Sequence, residues 1–383
     1  MEEKVTISRA LEILQTYPIL SHTEIIPIHV AHNRILAEDI FSLVDNPPFD
    51  NSSIDGWAVL SSNDPKKRIE TNPIFAGDLP PPLLQENQAI RIMTGAPVPP
   101  NADALVMVED GIHGPAHSNF IRKKGENIEK GEIALSKNSI LTPAALALIA
   151  SIGHASVSVF SKPKISIIPT GNELVSPGEK LEPGQIYESN SISLAALVSR
   201  AGGAPTISQP IDDDIDSTRK KLDECAESSD LILSSGGVSM GDHDFIRKLL
   251  IEEGEPLFWK VGMKPGGPPI FGLWKGTPIL GLPGNPVSSH IVFLTLVVPW
   301  ISHPDLFYRK IKVNLQTTLK GSPNKTTFRR IKIHSGDEIT ATSQTHQGSG
   351  NIVSMVANDA ISVLPPNTNG EINDIIDALW LID

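Results

Sequence analysis

Apolar positions in the first segment recur at helical spacing. Ile7, Leu11 and Leu14 predict a helix, followed by short extended pieces such as IIPIHV within residues 1–45. From 46 to about 127 the pattern changes: β-type runs (GWAVL, AIRIM, ALVMV) alternate with Pro and Gly, which predicts small antiparallel β-structure. LTPAALALIASIG (141–153) reads as a buried helix with Thr142 as its cap and Pro143 in its first turn. The pattern leaves open whether that helix packs with the residues before it or with those after it.

Residues 164–300 alternate strand and helix: KISII, then SNSISLAALVSRAGG, TISQPI, a helix through Thr218–Ala226, DLILSS, a helix at 243–253, LFWKV, TPILGL and a last helix from Pro286. Such alternation predicts a doubly wound α/β domain, a parallel sheet covered by helices on both faces. Ligands bind beyond the carboxyl ends of strands in sheets of this kind. Each of those ends here is polar, glycine-rich or acidic: PTGNELVSPG (169–178), the Asp212–Asp213–Asp214–Asp216 run, GGVSMGDHDF (236–245), GMKPGGPP (262–269) and PGNPVSS (283–289). Five polar loops on one sheet edge predict a pocket. After residue 305 short strands return (KIKVNLQTTL, RRIKIH, EITAT, AISVLP), which predicts a C-terminal β-domain.

Composition narrows the chemistry. The 383 residues carry 32 Lys+Arg against 44 Asp+Glu, a formal charge of −12, which excludes a general nucleic-acid or anionic-membrane binder. One cysteine, Cys225, excludes an intramolecular disulfide framework and a Cys-rich zinc module, and its helical position fits packing better than reactivity. The longest apolar stretch, IVFLTLVVPWI, is too short to span a bilayer. A cytoplasmic protein is expected.

The loops carry the candidate chemistry. The paired glycines of SSGGVSMGD let backbone amides approach an anion at a helix start, although a ligand-free strand-to-helix turn reads equally well. The segment matches neither the dinucleotide fingerprint nor the phosphate-binding P-loop. Asp212, Asp213 and Asp244 are of the type that ligates Mg²⁺, while Asp242 fits a helix cap. Lys260 and Lys264 flank the Gly-Pro segment and would neutralise an anionic substrate. Other constellations fail: there is no H-E-x-x-H, His113 and His117 sit in a Gly/Pro loop, and Ser235 and Ser239 have no identifiable histidine.

Taken together these motifs resemble the molybdopterin molybdenumtransferase family. FDNSSIDGWAV (49–59), IMTGAPVPPNADALVMVED (92–110), PTGNEL, SSGGVSMGDHD, MKPGGP, GLPGNPVS and QGSGN (347–351) succeed one another in family order. The resemblance implies an enzyme that uses molybdate and Mg²⁺ on adenylylated molybdopterin, releasing AMP and the molybdenum cofactor. It implies an elongated homodimer, with the α/β domain of one chain facing a β-domain of its partner, and an upstream molybdopterin adenylyltransferase as supplier. Asp55, Thr94, Glu173, Asp213 and Asp244 are implied as catalytic, with Asp213 and Asp244 holding the metal. Gly236, Gly237, Ser239, Lys260, Lys264, Pro283, Pro286 and Ser349 are implied as substrate-binding, the two glycine amides holding the pterin phosphate. Asp55 or Glu173 would orient water or relay a proton.

The expected organisation is a discontinuous N-terminal domain (1–45 with 128–160), a β-rich domain (46–127), the α/β domain (161–304) and the C-terminal β-domain (305–383). Three residues depart from the family pattern: Asn127 in Gly-Glu-Asn, Asn172 before Glu173, and Gly267 where lysine is usual. The last removes a positive charge from the expected oxyanion site, and Lys275, Arg329 and Arg330 are the candidate substitutes. A paralogue that inserts tungstate and a non-catalytic molybdopterin-binding or scaffold protein are the competing readings.

Overall fold

The computed structural model describes residues 1–19, 22–79, 81–211, 214–238, 244–302, 310–343 and 346–381. The chain forms two compact units, one of residues 1–22 with 161–383 and one of residues 23–160.

The larger unit is built on a seven-stranded sheet. Its elements in chain order are β1 (Glu2–Val5), α1 (Ile7–Gln15), β2 (Lys164–Pro169), α2 (Asn190–Arg200), β3 (Ala204–Ile207), α3 (Ile215–Ser228), β4 (Leu231–Ser235), α4 (Phe245–Glu252), β5 (Glu255–Val261), β6 (Ile270–Trp274), β7 (Thr277–Leu282) and α5 (Pro286–Val292). Spatially the strands run β1-β5-β6-β7-β4-β2-β3. The period-two alternation explains the layering, because both faces of each central strand are apolar. Ile165, Ile167, Leu231, Leu233, Leu280 and Leu282 pack on one side with residues of α1, α2 and α5. Ile168, Ile232 and Ile279 pack on the other with Leu222 and Cys225 of α3 and Ile246, Leu249 and Leu250 of α4. Cys225 is thus a core residue, as expected from its helical position.

Two features depart from the sequence expectation. The sheet is mixed: β6 runs antiparallel to both β5 and β7, a strand hidden in the sequence because IFGLW comes directly after a Gly-Pro loop. Residues 1–22 also leave the expected N-terminal domain. β1 extends the sheet by pairing in parallel with β5, and Ala10, Ile13 and Leu14 of α1 enter the main core. Three charged residues in Glu-Glu-Lys-Val concealed that strand.

The C-terminal part of this unit closes a barrel from β8 (Lys310–Leu315), β9 (Thr326–His334), β10 (Thr340–Thr342), β11 (Ala360–Leu364) and β12 (Ile375–Trp380). The ring runs β9-β10-β8-β12-β11 and returns to β9, which leaves no open strand pair within it. A two-residue strand, Met263–Lys264, pairs in parallel with β9 and ties the barrel to the loop after β5.

The smaller unit holds a five-stranded sheet of 69–74, 88–92, 56–59, 104–107 and 116–117. It is antiparallel except that Ile69–Ile74 joins Gln88–Ile92 in parallel. Helix Pro143–Ser151 is capped by Thr142 Oγ1, which accepts from Ala145 N at 3.2 Å. It packs against Leu36 and Ile40 before it and Val157 and Val159 just after it, so it belongs to the 23–160 unit and not to the α/β domain.

Candidate functional site

The parallel strands β2, β3, β4, β5 and β7 end on one edge of the sheet, and their loops interlock there. Gly236 N, just past β4, donates to Leu282 O at the end of β7 (3.0 Å), and Thr170 N, just past β2, donates to Ser235 O (3.2 Å). Gly236 has φ 104 and Gly237 φ 70, values that exclude ordinary side chains. The space is also absent: a Cβ on Gly236 would lie 2.8 Å from Thr170 Oγ1 and 3.0 Å from Thr170 O. The glycine pair therefore packs directly on the loop that carries Glu173. Trp259 fixes this turn from below, its Nε1 donating to Val238 O at 3.3 Å, while Arg247 and Lys260 stack over its ring at 4.0 and 3.7 Å.

A residue that the sequence pattern did not single out clamps two of these loops. Asn190, at the start of α2, donates from Nδ2 to Ser235 Oγ (2.8 Å) and to Gly284 O (2.7 Å). Its Oδ1 is buried with no hydrogen-bond partner among the described residues, an acceptor available to a donor on a bound molecule. Its only sequence signal was an Asn opening the helix after Tyr187-Glu188-Ser189.

Pro283 and Pro286 flank the turn into α5, and the barrel closes over that turn. Val287 N donates to Ser349 O at 3.0 Å, so the 347–351 segment caps the helix start. Beneath it lies Arg330, fully buried, whose Nη2 donates to Gly348 O (3.1 Å) and Nε to Ser354 Oγ (3.0 Å). Gln347 Oε1 accepts from Arg330 N at 3.0 Å. Burial, with a smaller contribution from the Arg329 charge, pushes the Arg330 guanidinium down to about 10.

Lys260 and Lys264 flank the entry to the Gly-Pro loop. They line a cavity of about 980 Å³ together with Gly267, Lys4 and the 322–325 turn. The candidate substitutes for the lost lysine lie elsewhere. Lys275 sits past the far end of β6 and pairs with Asp223 at 2.8 Å. Arg329 donates from Nε and Nη2 to Lys320 O, and Arg330 is held under Gly348.

Asp214 caps α3 by accepting from Ser217 N at 2.8 Å, a structural role for one member of the acidic run. Asp244 stands at the start of α4, half-buried beside the glycine turn. Asp212, Asp213, Ser239 and Asp242 lie outside the described residues. Among the described residues no cluster of three or more potential metal-ligating side chains occurs. Asp244, beside the glycine turn, is an oxygen donor of the type that would serve a Mg²⁺ site.

In the smaller unit Asp55 and Thr94 meet. Asp55 Oδ1 accepts from Thr94 N at 2.7 Å and from Thr94 Oγ1 at 2.9 Å. The Thr94 amide, then its hydroxyl, hold the carboxyl below its usual range, aided by Arg91. Asn127 Nδ2 donates to Asn46 Oδ1 (3.1 Å), so that departure from the family pattern serves a turn-to-turn contact.

Three family models cover the chain. Residues 5–153 match the MoeA N-terminal region (domains I and II), 166–303 a probable molybdopterin binding domain, and 312–377 the MoeA C-terminal region (domain IV). The chain belongs to the molybdopterin molybdenumtransferase (MoeA) family. The family member of Haemophilus influenzae is 37% identical over 308 residues, covering 76% of this chain and 75% of that one. That of Staphylococcus aureus is 32% identical over 389 residues, covering 96% and 92%. Two crystal structures of the molybdopterin biosynthesis MoeA protein of Pyrococcus horikoshii superpose with TM-scores of 0.84 and 0.83 at 31% and 28% identity. They cover 99% and 98% of this chain and 100% of each neighbour.

Proposed function

We propose that this chain inserts molybdenum from molybdate into adenylylated molybdopterin, releasing AMP and the finished cofactor. The observation that carries this reading is the convergence on one sheet edge of the glycine turn, the Pro283–Pro286 turn and the Ser349 segment, with a lysine-lined cavity past the end of β5. The amide of Gly237 would hold a phosphate, since that of Gly236, expected to share the role, is taken up by Leu282 O, and the buried Oδ1 of Asn190 would accept from a donor on the substrate. Lys260 and Lys264 would stabilise charge that develops on phosphoryl oxygens as AMP leaves.

Asp244, with Asp213, would hold Mg²⁺, which when bound polarises the phosphate oxygens. Asp55 is held ionised by Thr94, which suits it to orient a cationic or hydroxyl group, and Asp55 or Glu173 would relay a proton. A homodimer is supported by the exposed apolar side chains of Phe41, Leu43, Val44 and Phe49, which a second copy would cover. A cytoplasmic setting is part of this reading; no helix among the described residues is long and apolar enough to cross a membrane.

The test combines purified protein, adenylylated molybdopterin, Mg²⁺ and either molybdate or tungstate. AMP and cofactor are expected with molybdate. Absence of both products with either oxyanion sinks the reading, and a tungstate preference redirects it.

A further inference from the structure

Gly267 stands where the family resemblance expects a lysine, and the fold brings a cation to the gap from another element. Ser322, Pro323, Asn324 and Lys325 form a tight turn in which Ser322 bridges Lys325 and Asn324 has φ 56. Pro and Asn suit the second and third positions of such a turn. The turn feeds β9, whose Thr326 and Thr327 pair in parallel with Met263 and Lys264. Thr326 N also donates to Gly262 O at 2.9 Å. This ladder fixes the turn beside the Gly-Pro loop. Lys325 Nζ consequently lies 3.9 Å from the point where a Cβ on Gly267 would stand.

The surrounding cavity supports an anion. Its described lining residues include Lys4, Lys260, Lys264 and Lys325 but no carboxylate, and no aromatic ring on which a base would stack. We propose that Lys325 supplies the ammonium that Gly267 lacks and binds the incoming tetrahedral oxyanion, molybdate, over the Gly267 backbone. This rests on the molybdenum-inserting function proposed above. A pterin phosphate shares the dianionic tetrahedral chemistry, so the experiment separates the two.

Molybdate and, separately, inorganic phosphate are titrated calorimetrically into the full chain and into Lys325→Ala, Lys325→Arg and Lys325→Ala/Gly267→Lys. The last variant is sterically open: Gly267 lies outside the left-handed region, and the atom nearest an added Cβ is Met263 O at 3.4 Å. Loss of a charge-assisted hydrogen bond should weaken molybdate binding about tenfold or more in Lys325→Ala. Lys325→Arg should retain it, and Gly267→Lys should restore it, which excludes misfolding as the cause. Unchanged molybdate affinity in Lys325→Ala, or a loss confined to phosphate, overturns the proposal. AMP release with a molybdate KM indifferent to Lys325→Ala overturns it while leaving the function intact. Molybdate binding through Lys325 without AMP release overturns the function and leaves this proposal standing.

Discussion

Thr94 grips a single oxygen of Asp55, its amide at 2.7 Å and its hydroxyl at 2.9 Å from Oδ1. Both bonds favour the ionised carboxylate, so its pKa lies below the ordinary 3.8. The stabilisation this provides is fully present above 3.8 and is lost only as pH falls through the lower folded value. Asp55 should therefore contribute no acidic limb to the pH–rate profile above about pH 5. Thr94→Val should raise the Asp55 pKa only partway, because the backbone amide, the larger cause, remains. Carboxyl-detected NMR titration of both proteins measures this, and a full return to 3.8 would show that the hydroxyl dominates instead.

Gly236→Ala combines a φ of 104 with a Cβ 2.8 Å from Thr170 Oγ1. A cost of about 1–3 kcal/mol in stability is expected, together with loss of turnover from a displaced amide turn. Gly178→Ala gives the comparison, since Gly178 has φ 99 but nothing within 4 Å of an added Cβ. It should show the backbone strain without the clash. Denaturant midpoints that coincide for the two variants would remove Thr170 from the explanation.

Arg330 is a buried cation whose Nη1 has no hydrogen-bond partner among the described residues. Arg330→Met removes the penalty of burying the charge but also the bonds to Gly348 O and Ser354 Oγ. Melting temperature should change little, whereas substrate KM should rise because the segment bearing Ser349 is no longer held over Val287. Unchanged KM would confine Arg330 to barrel packing.

His290, in α5, is kept neutral chiefly by burial, against a weaker opposing contribution from Pro286 O, its 3.0 Å partner. Its folded pKa is depressed below 6.5, so the unfolded chain binds more protons between that value and 6.5. Stability should then rise with pH across this window and fall on acidification. Thermal melts between pH 5 and 7.5 should show that slope in the wild type and a shallower one in His290→Gln. Equal slopes would exclude His290 as its source.

The doubly wound core was legible because each strand is apolar on both faces and each loop is polar, as Ile165–Ile168 and then Thr170–Gly171 illustrate. The same pattern read Gly236, Lys264 and Pro286 onto one edge. It missed β1, whose burial is confined to Val5, and β6, whose apolar run merges with Pro268 and Pro269. Contacts that depend on register were also hidden: no spacing rule joins Asp55 to Thr94, or sets Lys325 beside Gly267. Those arise from the pairing of Gly56 with Ile92 and of Thr326 with Met263, known only once the strands are aligned.

The pairing of β1 with β5 has a bearing on synthesis. Glu2 sits opposite Phe258, and Gly262 N donates to Val5 O at 2.8 Å, so residues made early pair with a strand made much later. The smaller unit can close its own sheet while the ribosome is still at work, but Ala10, Ile13 and Leu14 have no core to enter until the central strands emerge. For that interval the apolar side of this segment lacks the partners it covers in the finished fold. Only then does Gly262, at the head of the lysine-bearing loop, gain Val5 O as its acceptor.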